Sequence, residues 1–343
     1  PRFPRVHPQL LQAFSAFAAD PSADELTALM LINQLLSPEL NFAALRGSLT
    51  ELESAYRPPQ PPWQFLAEQG FGGNVDDYGS LENSRLDRLL ETRLILRAMG
   101  EETGDMIVFS FWPDVIMIKE IGDPLRVARH LQLDRKELQA RVIMAQGRQN
   151  TNYAINLYAC HPFFVQGFST MTNGENTAFI PIREYLESRG FPGYAGYQSD
   201  SEVFTHILHF AVTRLGLGVE SYKHIITPLQ DGDLLQHPNR QLLQNLKQTC
   251  RKLIIDGPNC VIGSLPDHSL FMVQDRKKLR PGVVGGRPGR YAFSSELCGL
   301  DAAIPDRDKR EDFQPMHLDT AIVNADRQEV KICSQKDPLH LSH

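Results

Sequence analysis

The stretch MTNGENTAF, residues 171–179, gathers Asn173, Gly174, Glu175 and Asn176 where a run of strand-like residues ends. Glycine between polar amides suits a tight turn, because Gly and Asn tolerate positive φ, so taken alone the stretch reads as a hairpin loop. Other residues of chemically capable type are spaced less tellingly. Glu202, His206 and His209 share one helical face, as metal ligands would, but no cluster supplies a fourth ligand and no metal is expected. Cys160 adjoins His161, yet neighbours in a strand point to opposite faces, which disfavours a Cys/His catalytic pair. VVGGRPGR (283–290) is glycine-rich without phosphate-loop spacing and reads as a loop. The secondary amine of Pro1 could become a base on desolvation, but Arg2 and Pro4 beside it fit a tautomerase-like role poorly.

Four short segments follow one another along the chain: GRQNTN (147–152), HPF (161–163), NGEN (173–176) and SDSEV (199–203). In that order and at those distances they resemble the class II glutamine amidotransferases, specifically the glutaminase domain of glutamate synthase and its free-standing relatives. DRKKLRP (275–281) followed by YAFSSE (291–296) resembles the later strand–turn–strand signature of the same domain, and the resemblance covers roughly residues 105–302.

The chemistry of the substrate explains such a gathering. Free glutamine presents an α-carboxylate, an α-ammonium and a side-chain amide, so a selective site needs a cation, an anion and oxyanion donors. The resemblance implies that Arg148 grips the carboxylate with a bidentate fork and that Asp200 takes the ammonium. It implies that Asn173 and the backbone N–H of Gly174 form the oxyanion hole. No cofactor is implied. Plainer readings stand beside these: Arg148 as a surface arginine, Asp200 with Glu202 as a helix cap, Thr151 and Asn152 as loop-shaping residues, and His161 as a structural histidine.

The chain also departs from the family. The family's nucleophile is an N-terminal cysteine, whereas this chain begins Pro1-Arg2-Phe3-Pro4, and CGL at 298–300 imitates the missing start only in the late strand region. The family's histidine before x-Arg is Gln146 here, and its histidine before Asn-Gly is Thr172. The expectation is a degenerate site without glutaminase activity. Two functions follow: ammonia supply to a glutamate-synthase-like partner, or a catalytically inactive binding or assembly subunit on the amidotransferase scaffold.

The elements that must position these residues are read from pattern. HPQLLQAFSAFAA, SADELTALMLINQLL and SPELNFAALRGSLTELESAY read as helices, RPPQPPW (57–63) as a linker, and SLENSRLDRLLETRLILRAMG as a long helix ending at Gly100. DMIVFSFWPDVIMIKEIG reads as a hairpin broken at Pro113 and Asp114, and ARVIMAQGRQNTN as a strand running into a polar loop. Helices are expected over DPLRVARHLQL, AFIPIREYLESRG, DSEVFTHILHFAVTRLG and HPNRQLLQNLKQTCRKL, and strands over FVQGFSTMTNG, NCVIGSLP, HSLFMVQD and RYAFSSE. The fold class is α+β: an Ntn-hydrolase-like four-layer αββα sandwich, with a helical segment at 1–104, the amidotransferase-like domain at 105–302 and an irregular, charged tail at 303–343.

Composition sets the outer bounds. The 343 residues are 42% apolar, enough for a sizeable core, and the net charge of −6 disfavours a nucleic-acid partner. Five cysteines without a C-x-x-C pair suggest neither a disulfide framework nor a zinc site and point to a cytoplasmic setting. No apolar run is long enough to suggest a membrane partner. The expected partners are glutamine or a similar amino acid and a synthase subunit, with a homo-oligomer left open.

Overall fold

The computed structural model describes residues 81–104, 106–136, 138–147, 156–188, 193 and 195–339. The helices and linker expected before residue 81 lie outside the described residues, as do Arg148, Thr151 and Asn152. The chain divides into two compact units, Pro1–Gln139 and Ala140–His343.

In the first unit, helix α1 (Leu81–Thr103) runs past Gly100 and stops at Gly104, whose φ of +73° is the left-handed conformation that closes helices. Its N–H caps the Gly100 carbonyl at 2.9 Å. The hairpin expected over residues 105–122 does not form: residues 106–121 carry no strand. The nearly buried Arg93 on α1 donates through Nη2 to the carbonyls of Val108 and Phe109, each at 3.4 Å, and Phe111 and Trp112 are buried. A side chain thus serves carbonyls that a partner strand would otherwise serve. Helix α2 (Pro124–His130) begins as its sequence suggests, with Pro124 in its first turn and Asp123 accepting from Arg126 N at 3.0 Å.

The second unit is mixed α+β around an antiparallel sheet. Strands β1 (Phe163–Val165), β2 (Phe168–Gly174), β3 (Asn259–Ser264), β4 (Leu270–Gln274), β7 (Asp319–Val323) and β8 (Val330–Ser334) pair in the order β1-β2-β3-β4-β7-β8. The register sets Asn173 opposite Cys260, Cys260 opposite Gln274, and Val273 opposite Thr320. Strands β5 (Val283–Arg287) and β6 (Arg290–Ser294) form a separate hairpin, so VVGGRPGR is strand and turn rather than a loop.

Two strands lie in what composition suggests is an irregular tail. Charged residues around 306–312 obscure the β-branched runs DTAIV and VKICS, which complete the sheet beyond β4. Conversely, residues 140–147, expected as a strand, carry none.

Cross-strand neighbours share a face, and the two faces have different covers. Cys260, Ile262, Met272 and Ala321 pack against Val284 and Phe293 of the hairpin. The opposite face meets helices α4 (Glu202–His209, continued by a π turn at Phe210–Arg214) and α5 (Val219–Ile226). There Thr170 Oγ1 lies 2.5 Å from Thr205 Oγ1, and the Tyr222 ring sits edge-on to Phe271 at 5.7 Å. Helix α3 (Phe179–Ser188) precedes α4; α6 (Asp231–Leu235) and α7 (Arg240–Thr249) share a leucine cluster with Leu318, and α8 (Leu297–Ala303) follows β6. Among the described residues the second sheet has two strands, which is less than the four-layer sandwich expected.

Candidate functional site

NGEN is the exit of a strand, not a hairpin turn. The turn between β1 and β2 is Gln166-Gly167, with φ of 45° and 87°. Beyond it β2 runs through Gly174 and then lies along the loop 256–258 before α3. Glu175 N donates to Pro258 O at 3.0 Å, and Thr177 N to Asp256 O at 2.7 Å. The approach is close: a Cβ on Gly174 would overlap the Pro258 carbonyl oxygen and stand 2.7 Å from Asn259 Cα. Only glycine fits there.

The same pairing decides where the Gly174 N–H points. Antiparallel residues alternate between bonded and non-bonded pairs, and Glu175 to Pro258 is a bonded position. Asn259, opposite Gly174, turns both main-chain groups towards β4: its N–H meets Asp275 Oδ2 at 3.1 Å and its carbonyl accepts from Asp275 N at 2.8 Å. The Gly174 N–H therefore points to the other edge of β2. On that edge the Thr172 carbonyl accepts from Gln146 Nε2 at 3.0 Å. Asn173, half-buried, shares a sheet face with Cys260.

Asp200 stands beside this strand exit. Its Oδ2 accepts from the main-chain N–H of Asn176 at 2.8 Å, across 24 residues of sequence. Its Oδ1 is held more loosely, by the hydroxyls of Ser199 at 3.4 Å and Ser201 at 3.3 Å. The cap reading of Asp200 and Glu202 does not describe what these carboxylates do. Ser201 is the N-cap of α4 and makes no side-chain cap bond, while the buried Glu202 accepts from Ala195 N at 2.7 Å and Tyr197 N at 2.8 Å.

His161 completes the group. Its Nε2 lies 3.0 Å from Thr172 Oγ1 and its ring is edge-on to Phe163. Hydrogen bonds thus tie HPF, SDSEV and the residue preceding GRQNTN to the end of β2. Arg148 itself lies outside the described residues.

The other candidates separate. His206 bonds Glu202 at 3.2 Å, whereas His209 reaches Gln166 Oε1 at 2.7 Å. Among the described residues no three His, Cys, Asp or Glu side chains are grouped to hold a metal. Burial alone would raise the Glu202 pKa, but the His206 contact and the two backbone donors outweigh it and hold the carboxyl below its ordinary value. Burial pushes His209 down to about 3. Cys160 is not in a strand with His161; its Sγ donates to Asn156 O at 3.4 Å.

Sequence reasoning overlooked Lys223. It is fully buried on α5, donates to Gln274 O at 2.6 Å, and is lowered to about 8 by burial, with Asp319 and Asp275 opposing the shift. The signal was weak, for in SYKHII the lysine stands between Tyr222 and His224, ahead of Ile225 and Ile226.

The comparisons with known proteins are sparse. No protein-family model matches the sequence. An uncharacterized protein of Archaeoglobus fulgidus is 26% identical over 231 residues, which are 66% of this chain and 59% of that protein. Among solved structures, the chain is similar to the glutamine phosphoribosylpyrophosphate amidotransferase of B. subtilis, with a TM-score of 0.32 and 15% identity over 55% of this chain and 35% of that one. It is also similar to a structure described as the allosteric regulatory enzyme of purine biosynthesis, with a TM-score of 0.29 and 16% identity over 48% of this chain and 28% of that one. Among the described residues no helix is long and apolar enough to cross a membrane.

Proposed function

We propose that the chain is a class II glutamine amidotransferase-like domain that binds glutamine or a similar α-amino acid, and that none of its five internal cysteines supplies the family's hydrolytic step. The observation that carries this reading is the 2.8 Å bond from Asn176 N to Asp200 Oδ2, which puts an acidic group beside the Asn173-Gly174 strand exit. In this reading Asp200 Oδ1 takes the α-ammonium and Arg148 takes the α-carboxylate. Asn173 and the outward N–H of Gly174 receive the side-chain oxygen. The domain then serves a synthase-type partner as its amino-acid-binding or assembly subunit; as an ammonia supplier it would need a thiol at this strand exit.

The test is calorimetric titration with glutamine and glutamate. Arg148→Ala and Asp200→Ala should each weaken binding by about 1.5–3 kcal/mol, the range for hydrogen bonds to charged groups. Affinities equal to wild type for both variants would reject these roles, and no binding by wild type would favour a scaffold without a pocket.

A further inference from the structure

Two loops lie side by side at the end of the sheet where β2 leaves Gly174. Gly174 pairs with Asn259, Cys260 with Gln274 and Val273 with Thr320, so β2 and β4 end there while β3 and β7 begin. The loop 275–282 runs from β4 to the β5–β6 hairpin, and the loop 314–318 runs from Phe313 to β7. Their near ends stand on adjacent strands. Their far ends are joined, Val284 N donating to Phe313 O at 2.8 Å and Phe313 N to Val284 O at 3.0 Å.

The acids at the roots of these loops face inward. Asp275 accepts from the main-chain N–H groups of Asn259, Lys277 and Leu279 at 3.1, 2.8 and 3.1 Å, and Asp319 Oδ2 accepts from Met316 N at 3.0 Å. Both carboxylates are also near enough to the buried Lys223 to favour its ammonium. The cations and apolar groups are left outside. Arg276, Lys277, Lys278 and Arg280 crowd the first loop, Lys277 exposed and the others half-buried, and among the described residues none of the four is in an ion pair. Arg287, Lys309 and Arg310, further along the chain, are each paired with an aspartate. Leu279 is 61% exposed within the cationic run, and Met316 is 62% exposed on the neighbouring loop.

The cationic loop is held in one shape. Lys278, at a φ of 52°, donates its N–H to Asp275 O at 3.1 Å, Gln274 Nε2 donates to Arg280 O at 2.8 Å, and Arg276 Nη2 donates to Pro228 O. A surface fixed before contact loses less conformational freedom when a partner docks.

We propose that these two loops form a docking surface for a partner protein whose own face carries carboxylates around an apolar centre. The surface gives the synthase-type partner of the function proposed above its place of contact, beside the strand exit, and rests on that reading in this respect alone. On a chain of net charge −6 the run is a local reversal of sign, and complementary charge steers and orients a partner. Leu279 and Met316 require an apolar counterpart, which a protein face supplies and a phosphate backbone does not.

Fluorescence anisotropy of the full chain tests this with three labelled probes: the peptide Glu-Glu-Leu-Leu-Glu-Glu, its counterpart Lys-Lys-Leu-Leu-Lys-Lys, and a single-stranded oligonucleotide of the acidic peptide's charge. Wild type should bind the acidic peptide, bind the oligonucleotide more weakly and leave the lysine peptide free. Raising salt from about 50 to about 300 mM should weaken acidic-peptide binding about five- to tenfold. Lys277→Glu with Lys278→Glu should weaken it at least about tenfold. Leu279→Ser and Met316→Ser should each weaken it about three- to tenfold, and Arg310→Glu, on another loop, should bind as wild type does. Should the double variant melt at a lower temperature than wild type, Lys277→Gln, which changes an exposed side chain alone, should still weaken binding about threefold.

No binding of the acidic peptide by wild type, equal binding by the double variant, or an oligonucleotide bound as tightly as the peptide would overturn the proposal. Self-association in sedimentation that the double variant abolishes would also overturn it, by assigning the surface to a second copy of the chain. Glutamine titration separates the two readings. If wild type binds the acidic peptide but no glutamine, the amino-acid site fails and the surface stands; if it binds glutamine but not the peptide, the docking surface alone fails.

Discussion

Gln146 and Thr172, which stand where the resemblance to the amidotransferases would place histidines, are bonded to each other, Gln146 Nε2 donating to the Thr172 carbonyl at 3.0 Å. The two departures form one contact on the edge of β2, and the Thr172 hydroxyl adds a second contact with His161 at 3.0 Å. A substitution at either position alone should therefore disturb a contact that the other residue makes. Thr172 is 5% exposed on the helix-facing side of the sheet. Thr172→His should cost about 1–3 kcal/mol by overpacking, and Gln146→Ala about 1 kcal/mol by losing one hydrogen bond. Urea denaturation of the two single variants and the double variant measures both, and a stabilised Thr172→His would refute the packing argument.

Gly174 tests the strand exit directly. A Cβ there meets main-chain atoms of Pro258 and Asn259, which cannot swing aside as a flexible side chain would. Gly174→Ala should thus lose about 1–3 kcal/mol and should weaken amino-acid binding, because the loop 256–258 holds the Asn176 backbone in place. Thermal melts with calorimetry separate the two effects. A variant as stable as wild type would mean that β2 and the 256–258 loop do not lie this close.

Helices α3, α4 and α7 were legible because their apolar spacing and turn residues agree, whereas α5, α6 and α8 were missed. The strands β3, β4 and β6 were legible for the same reason. The extended run at 106–121 has hairpin composition, but composition does not say what will satisfy its carbonyls, and a buried arginine on α1 does so. Strands β7 and β8 were hidden by charged neighbours, since a strand that pairs at the sheet's edge can carry exposed Lys331 among its apolar residues. For the site, residue types and order pointed to Asp200 and Asn173-Gly174. The partner of Asp200 could not be read, because a backbone N–H leaves no mark in sequence. Asn176 was visible only as part of a turn-like stretch.

Acid should unfold the protein through histidines buried in neutral form. Burial lowers His209 to about 3 and His224 to about 4, with nearby cationic groups adding to each shift. Below the ordinary histidine value near 6.5 the unfolded chain takes up protons that the folded chain refuses, so stability is present above that value and is lost as pH falls towards 4. Two such groups give a slope of up to about 2.7 kcal/mol per pH unit. Urea midpoints from pH 7 to pH 4.5 should fall accordingly, and His224→Gln should flatten the slope by about half. An unchanged slope in that variant would assign the acid sensitivity elsewhere.

The last prediction concerns the five thiols. An acyl-enzyme route needs a thiolate within reach of the oxyanion donors, and thiolate character follows from exposure and a nearby positive charge. Cys260 lies opposite Asn173, but burial pushes it up to about 12 in spite of Lys223, and its side chain belongs to an apolar cluster. Burial likewise raises Cys250 to about 11. Cys333 is on the far strand β8 and is also raised by burial, and the exposed Cys298 at the start of α8 points to Glu296 at 3.4 Å. Cys160 is the nearest in sequence to the site, yet its Sγ donates to Asn156 O. None of the five should therefore turn glutamine over. Incubation of the purified chain with glutamine should release no glutamate above the uncatalysed background, and a glutamine-directed electrophile should label none of these cysteines faster than free thiol reagents do. Glutamate release abolished by Cys160→Ala or Cys260→Ala would show that an internal thiol has taken over the chemistry.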